Sequence, residues 1–140
     1  MIHPATERIA MKFEEFELKY TVEEVGPLSF VSAAFSGKHC NVRMRMISTD
    51  EDNDVKVLTE DLARFPEDKL MQGYELINAL NCRFRYAKFE IDSDGDVTAQ
   101  YDIPQRTSTE DLGDVALEIA MRLSQIVDES YPEIMKAIWA

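Results

Sequence analysis

The sequence predicts an α+β domain built on an antiparallel sheet, and three features of the residue pattern lead to this class. Short runs such as residues 40–46 alternate apolar and polar side chains, which is typical of strands with one buried face. Longer stretches repeat apolar residues at helical spacing. The connections between strands are too short for the crossover that parallel pairing requires. We therefore expect helices packed on a five-stranded antiparallel sheet, in the order αβββαββα.

The first half of the chain should form one helix and three strands. Large apolar residues at helical spacing predict the helix over residues 5–19. The segment VGPLSF ends it, and strand patterns follow, with a turn at Gly37-Lys38 and another in the acidic patch at residues 48–54. The helical stripe consists of Ile9, Phe13, Phe16 and Tyr20, and the three strands are expected over residues 28–36, 39–48 and 54–62.

The second half should add two helices and a hairpin. Pro66 suits the first turn of a helix over residues 65–81. A long C-terminal helix should begin at Ser108 or Thr109, either of which can cap it, and Pro132 should end or kink it. The apolar stripe of the middle helix is Leu70, Tyr74, Ile77 and Leu80, and the hairpin strands are expected over residues 83–92 and 96–103.

Size and charge restrict the possible functions. The 140 residues suffice for one domain with a sizeable core, over residues 1–140. The formal net charge of −12 argues against binding nucleic acid or an anionic membrane surface, since both need clustered Lys and Arg. The start of the chain lacks the apolar run of a signal peptide, and no later run approaches membrane-spanning length. Cys40 and Cys82 form no C-x-x-C pair. We expect a cytoplasmic protein.

The acidic segment IDSDGD, residues 91–96, could be taken for a calcium loop, but its spacing is that of a turn. An EF-hand loop that began at Asp92 would need glycine at its sixth position and glutamate at its twelfth, and neither is present. A three-residue loop over residues 93–95 pairs Ile91 with Val97, which makes one face of the hairpin apolar and the other polar. Gly95 should then be left-handed. We expect no metal site.

Other chemistry-bearing residues give no catalytic or cofactor site. His39 and Cys40 are neighbours on a predicted strand, so their side chains should point to opposite faces. His3 should lie in a frayed terminus. Asn78 and Asn81 should cap backbone groups near the end of the middle helix.

The stretch LINALNCRFRYAKFEIDSDGDVTAQYDIP, residues 76–104, resembles the YbjN-type domain of the bacterial sensory transduction regulators. The shared pattern is an N-x-x-N helix end, an aromatic and basic strand, an acidic glycine turn, and a strand that ends in D-hydrophobic-P. The closing YPEIMKAIW after a long helix is also similar to the family. The resemblance implies a fold similar to class I type III secretion chaperones, which dimerise and hold extended partner segments. It implies no catalytic residues and no secretion role.

These features predict a non-enzymatic, chaperone-like or regulatory protein-binding domain that forms a homodimer. The alternative is a small hydrolase or ligand-binding enzyme that uses carboxylates on the open face of the sheet. The apolar arc of the middle helix and two aromatic residues beyond it either form the dimer surface or are buried by the C-terminal helix. The candidate partner surface is Leu70, Gly73, Leu76, Leu80, Phe84 and Tyr86.

Overall fold

The computed structural model describes residues 1–49, 54–104 and 111–140 of the chain. It confirms the predicted α+β class with an antiparallel sheet, although the sheet has seven strands rather than five. The helices are α1 (Pro4–Glu15), α2 (Leu70–Arg83) and α3 (Leu112–Trp139), and a 3₁₀ turn at Glu67–Lys69 precedes α2. The strands are β1 (Thr21–Val25), β2 (Leu28–Ser36), β3 (Asn41–Ser48), β4 (Val55–Glu60), β5 (Ala63–Arg64), β6 (Lys88–Ile91) and β7 (Asp96–Ile103).

Helix α1 is shorter than the predicted residues 5–19. The backbone N–H of Leu18 donates to the Phe13 carbonyl at 2.9 Å, and Glu17 takes a φ of 55°. A left-handed residue followed by such a long-range bond is a common helix C-terminus, because it satisfies carbonyls that the helix leaves unpaired. The expected apolar stripe is therefore buried at Phe13 but not at Phe16, which is 57% exposed.

The sheet places its strands in the order β1-β2-β3-β4-β7, and β5 and β6 both pair with β7. All pairs are antiparallel. Strand β1 is one of the two strands that the sequence did not predict. All five of its residues are exposed, so its sequence lacks the alternation of apolar and polar residues that indicates a buried face. The predicted strand over residues 54–62 ends at Glu60 as β4. Asp61 takes a φ of 52°, and the short β5 that follows is the second unpredicted strand.

The core lies between one face of the sheet and the helices. Val31, Met46 and Val57 occupy one row across β2, β3 and β4, and all three are fully buried. Leu123 and Val127 of α3 are equally buried against this face. The side chains that alternate with these buried residues along each strand point away from the helices. We call this side the outer face of the sheet, and its side chains are mainly polar.

The β6–β7 hairpin has the predicted register. Phe89 lies opposite Ala99 and Ile91 opposite Val97, and the Asp92 N–H donates to the Asp96 carbonyl at 3.0 Å. The loop therefore consists of residues 93–95, and Gly95 is left-handed with a φ of 85°. These observations confirm the three-residue loop.

The strand predicted over residues 83–92 begins only at Lys88, so the prediction was wrong over its first five residues. Helix α2 continues to Arg83, and Tyr86 takes a left-handed φ of 63°, which is outside the range of regular strand backbone. Phe84 and Tyr86 therefore do not lie on a strand, although the predicted strand over residues 83–92 contains both. The predicted register would also place Ala87 opposite Tyr101, but the β6–β7 ladder ends at the pair of Lys88 and Gln100.

Helix α3 continues through Pro132 to Trp139. The prediction that the helix ends at Pro132 was therefore wrong. Ile134 and Ile138, which follow the proline, are buried, and their packing holds the last two turns in helical form. The expected cap at Ser108 or Thr109 lies outside the described residues, as do residues 50–53 of the acidic patch. Over the described ranges, no helix combines the length and apolarity needed to cross a membrane.

Candidate functional site

The acidic turn is organised by hydrogen bonds to its own backbone. One carboxylate oxygen of Asp92 accepts the N–H groups of Asp94 at 2.8 Å and of Asp96 at 3.0 Å. Carboxylate oxygens of the three aspartates come within 4.8 Å of one another. Because Asp92 already accepts two backbone N–H groups, its carboxylate acts as the cap of the turn.

The third aspartate is held by a cation from β5. Arg64 donates two hydrogen bonds to the Asp96 carboxylate, at 2.8 and 3.1 Å. These bonds hold the pKa of Asp96 below its usual value. On the other side of the loop, the Gly95 carbonyl accepts the N–H of Phe65 at 2.8 Å. The loop therefore joins the hairpin to the chain before α2, which is a structural role.

The His39-Cys40 segment is a turn clamped by α3. Asp128 accepts the backbone N–H groups of Lys38, His39 and Cys40 at 2.7 to 3.0 Å. These bonds, led by that from His39, hold the pKa of Asp128 below its usual value. Burial raises the pKa of the Cys40 thiol, and the Asp128 charge adds to this. The thiol is therefore protonated at neutral pH and is a poor nucleophile.

A small cavity of about 260 Å³ lies beside this turn. It is the feature that could favour the enzyme alternative, because polar side chains from several elements converge on it. Its one thiol is the unactivated Cys40, and Arg43 is engaged with Asp61 at 3.3 Å. Its lining residues are His39, Cys40, Asn41, Val42, Arg43, Thr59, Glu60, Asp61, Leu62 and Tyr131.

Three carboxylates on the outer face of the sheet are paired with cations. Glu60 lies 3.0 Å from the Arg45 Nε, an ion pair without the alignment of a hydrogen bond. Asp102 lies 3.9 Å from the Lys56 ammonium. Glu90 has Lys88 at 3.4 Å. A catalytic pair needs one carboxylate held in the protonated form and one ionised, whereas each of these three has a Lys or Arg beside it that favours the ionised form.

A polar network fixes the same face. Gln100 accepts a hydrogen bond from Lys56 at 3.1 Å and donates one to Glu90 at 3.0 Å. These partners cover Gln100, which is only 6% exposed although it points away from the core. The network joins β4, β7 and β6 across the sheet and therefore has a structural role.

The six residues predicted as a partner surface have three different environments. Gly73 and Leu80 are buried within the monomer, and a side chain at Gly73 would meet Phe65 and Ile91. Leu70, Leu76 and Phe84 are half-buried and pack against the core. Tyr86 is 42% exposed, and the Arg122 guanidinium lies 5.0 Å from its ring.

Asn81 closes the outer edge of β6. Its side-chain amide donates to the Phe89 carbonyl at 3.1 Å, and its oxygen accepts the Phe89 N–H at 2.7 Å. The side chain thus takes the place of a neighbouring strand. The predicted capping role is confirmed for Asn81, although the capped groups belong to a strand; Asn78 is exposed on α2.

Two features of the structure were not visible in the sequence pattern. A shallow groove of about 570 Å³ lies between α2 and the end of α3, and Trp139 in the last turn of α3 is 81% exposed. Leu76 and Ala137 supply apolar side chains to this groove. We call it the α2–α3 groove; its lining residues are Lys69, Gln72, Leu76, Glu133, Lys136, Ala137 and Ala140.

His3 does not lie in a frayed terminus, as the sequence suggested. It is 7% exposed, and its Nδ1 lies 3.0 Å from the Ser48 hydroxyl. Its backbone N–H donates to the Ser29 hydroxyl, which also bonds Thr6. These buried polar groups join the start of α1 to β2 and β3.

Comparison with known proteins identifies one family. A family model described as "YbjN: Putative bacterial sensory transduction regulator" matches residues 7–133. No curated protein and no solved structure matches the chain. The matched range includes most of α1, the seven described strands, α2 and most of α3, and it agrees with the resemblance of residues 76–104. The chain therefore belongs to the YbjN family.

Proposed function

We propose that this chain is a cytoplasmic, non-enzymatic regulatory domain that binds protein, and that it forms a homodimer through the α2–α3 groove. The main support for the proposal is the groove, together with the exposed Trp139 in the last turn of α3. Apolar grooves with an exposed aromatic residue nearby are typical of protein contact sites. The description of the family as a regulator supports the same class of function.

The charge of the groove supports contact between two copies. The chain carries a net charge of −12, so two copies repel each other over most of their surface. The groove differs, because two lysines stand on its sides: Lys136, and Lys69, whose ammonium donates to the Ala140 backbone oxygen. Its acidic residue, Glu133, is paired with Arg83 at 2.9 Å. Two acidic chains would therefore approach each other most easily at this surface.

The candidate surface predicted from the sequence contributes to this proposal in part. Leu76 lines the groove, and Leu70 lies on α2 beside the Lys69 that also lines it. Gly73 and Leu80 support α2 from within the monomer. Phe84 and Tyr86 follow the end of α2, and we leave them at the margin of the proposed contact.

The enzyme alternative receives less support. Glu60, Asp102 and Glu90 on the outer face are paired with Arg or Lys, and the Cys40 thiol has a raised pKa. A hydrolase would require an activated nucleophile or base. The two thiols, Cys40 and Cys82, are free, which fits a reducing compartment such as the cytoplasm.

Sedimentation velocity tests the dimer. We expect the unmodified chain to sediment as a dimer at micromolar concentration, and Leu76→Glu to sediment as a monomer, because it places a carboxylate in the groove. Gln72→Glu should weaken the dimer without touching the core, since Gln72 is exposed.

Met11→Glu is the matched control, because Met11 is a 71% exposed apolar residue on α1. It should leave the dimer unchanged. Circular dichroism checks that each variant is folded. A monomeric unmodified chain, or equal effects of the Leu76 and Met11 variants, would contradict the proposed contact.

A further inference from the structure

The two edges of the sheet differ in how their backbone groups are satisfied. On one edge, Asn81 bonds both backbone groups of Phe89, and α2 packs beside β6. On the other edge lies β1, whose residues Thr21–Val25 are all exposed. Among the described residues, β1 pairs with β2 alone. An open strand edge is a template for one more strand.

The ladder shows which residues of β1 point to the open edge. Gly37 donates its N–H to the Cys40 carbonyl across the β2–β3 turn. In an antiparallel ladder, the hydrogen-bonded pairs alternate with non-bonded pairs. Counting from Gly37 in steps of two residues reaches Val31, so the N–H and C=O groups of Val31 point to Met46 on β3. Val22 lies opposite Val31 and therefore directs its own N–H and C=O groups outward. Glu24, two residues further on, does the same.

The side chains of β1 indicate the chemistry of the added strand. Glu23 lies opposite Phe30, so its carboxylate is on the outer face, and Glu24 is on the other face with the Met1 ammonium at 2.8 Å. Val22 is 36% exposed and offers an apolar contact. A partner strand should therefore carry Lys or Arg against the glutamates and a β-branched residue against Val22.

A second copy of the chain does not fit this edge. Pairing the whole of β1 with itself in antiparallel register, with Thr21 opposite Val25, places Glu23 directly opposite Glu23. Like charges directly opposite each other destabilise a strand pair. The net charge of −12 adds to the repulsion. The edge therefore favours a cationic partner over self-association.

We propose that β1 is a docking edge for an extended, lysine- or arginine-bearing segment of another protein, which joins the sheet as an additional strand. This inference rests on the proposed protein-binding function and names a class of partner for it, but it does not depend on the dimer. The proposed dimer contact lies at α2 and the end of α3, and the docking edge lies at β1, so the two can fail separately.

Backbone hydrogen exchange with a defined probe tests the proposal. The probe is a blocked peptide built on the sequence TVKKV, lengthened at both ends with Thr and Val. In the full chain alone, the Val22 and Glu24 amides should exchange fast. The probe should slow both by about tenfold or more, because they become ladder donors. The amides of Thr21, Glu23 and Val25, which already bond β2, should change little.

Two control peptides separate strand addition from simple charge attraction. A peptide of equal charge with proline in place of valine cannot form a ladder and should not slow these amides. A peptide built on TVEEV should not bind. The proposal is overturned if the proline peptide protects β1 equally, if the acidic peptide binds as well as the cationic one, or if the two amides are already protected in the chain alone.

Two variants test the edge itself, with fluorescence anisotropy of the labelled probe as the readout. Val22→Pro removes an outward N–H that makes no bond to β2, so the fold should persist while probe binding is lost. Glu23→Lys should weaken binding several-fold, and added salt should reduce the difference. Met11→Glu, which lies on α1 and outside the β1–β2 ladder, should bind the probe as the unmodified chain does. Unchanged binding in Val22→Pro would contradict strand addition.

Discussion

Gly95 shows how a single residue joins two parts of the fold. Its φ of 85° is strained for any side chain, and a Cβ there would lie 2.3 Å from the Phe65 carbonyl oxygen. We predict that Gly95→Ala lowers the free energy of unfolding by more than about 2 kcal/mol, because strain and a backbone clash act together. Urea denaturation measures the change.

Gly26 provides the matched control. It is also left-handed, with a φ of 57°, but a Cβ there has no heavy atom within 4 Å. Gly26→Ala should therefore cost about 1 kcal/mol, from backbone strain alone. Equal costs at the two glycines would mean that contact with Phe65 contributes nothing at Gly95.

Asp128 gives the second prediction at this scale, on the pH dependence of stability. Its pKa in the folded chain is held below the unfolded value by three backbone N–H donors. A depressed pKa adds stability above the unfolded value, which is about 3.9, and this stability is lost as the pH falls through the folded value. The loss should therefore begin near pH 4 and continue below it.

Asp128→Asn tests this dependence, because it keeps the shape of the side chain and removes the titration. The variant should lose less stability than the unmodified chain between neutral pH and about pH 3. Denaturation midpoints at several pH values measure the difference. Parallel pH profiles would show that the Asp128 carboxylate is not linked to folding.

The acidic turn leads to a prediction about metal. Asp92 accepts two backbone N–H groups, and Asp96 is bound by Arg64, so a calcium ion would have to displace both arrangements. We predict no specific calcium binding, as the sequence spacing also suggested. Calorimetric titration checks this, and micromolar affinity that disappears in Asp94→Ala would refute it.

At the scale of elements, sequence patterns succeeded where one face of an element is buried. The β6–β7 register followed from placing Ile91 and Val97 on one face, and the structure has that register. Strand β1 was missed because its five residues are all exposed and carry no such pattern. The segment after α2 was misassigned because its aromatic residues imitate strand alternation, whereas the helix extends to Arg83.

The contact between Asn81 of α2 and Phe89 of β6 leads to a prediction about stability. Asn81→Ala removes two hydrogen bonds from Phe89 and should lower the free energy of unfolding by about 1 kcal/mol. Asn78→Ala, an exposed position one helical turn earlier, should change it by less than about 0.5 kcal/mol. Urea denaturation of the pair measures the contrast, and similar costs would argue against Asn81 as the closure of this edge.

At the scale of the whole molecule, the candidate site could be predicted only in part. The apolar arc of α2 was visible in the sequence, but helical spacing cannot show which part of an arc faces the core. Leu80 is fully buried, whereas Leu76 reaches the α2–α3 groove. The groove and the docking edge also depend on residues far apart in the chain, so no local sequence pattern predicts them.

Trp139 is the one tryptophan of the chain and reports on the proposed dimer without a label. It is 81% exposed in the monomer, so the monomer should show red-shifted emission and efficient quenching by acrylamide. If two copies meet at the α2–α3 groove, the indole becomes partly shielded in the dimer.

The most direct test of the dimer is therefore acrylamide quenching of Trp139 across a dilution series from micromolar to nanomolar concentration. We predict weak quenching at high concentration, strong quenching on dilution, and strong quenching at all concentrations for Leu76→Glu. Met11→Glu should follow the unmodified chain. Strong and concentration-independent quenching of the unmodified chain would contradict a dimer formed through the end of α3.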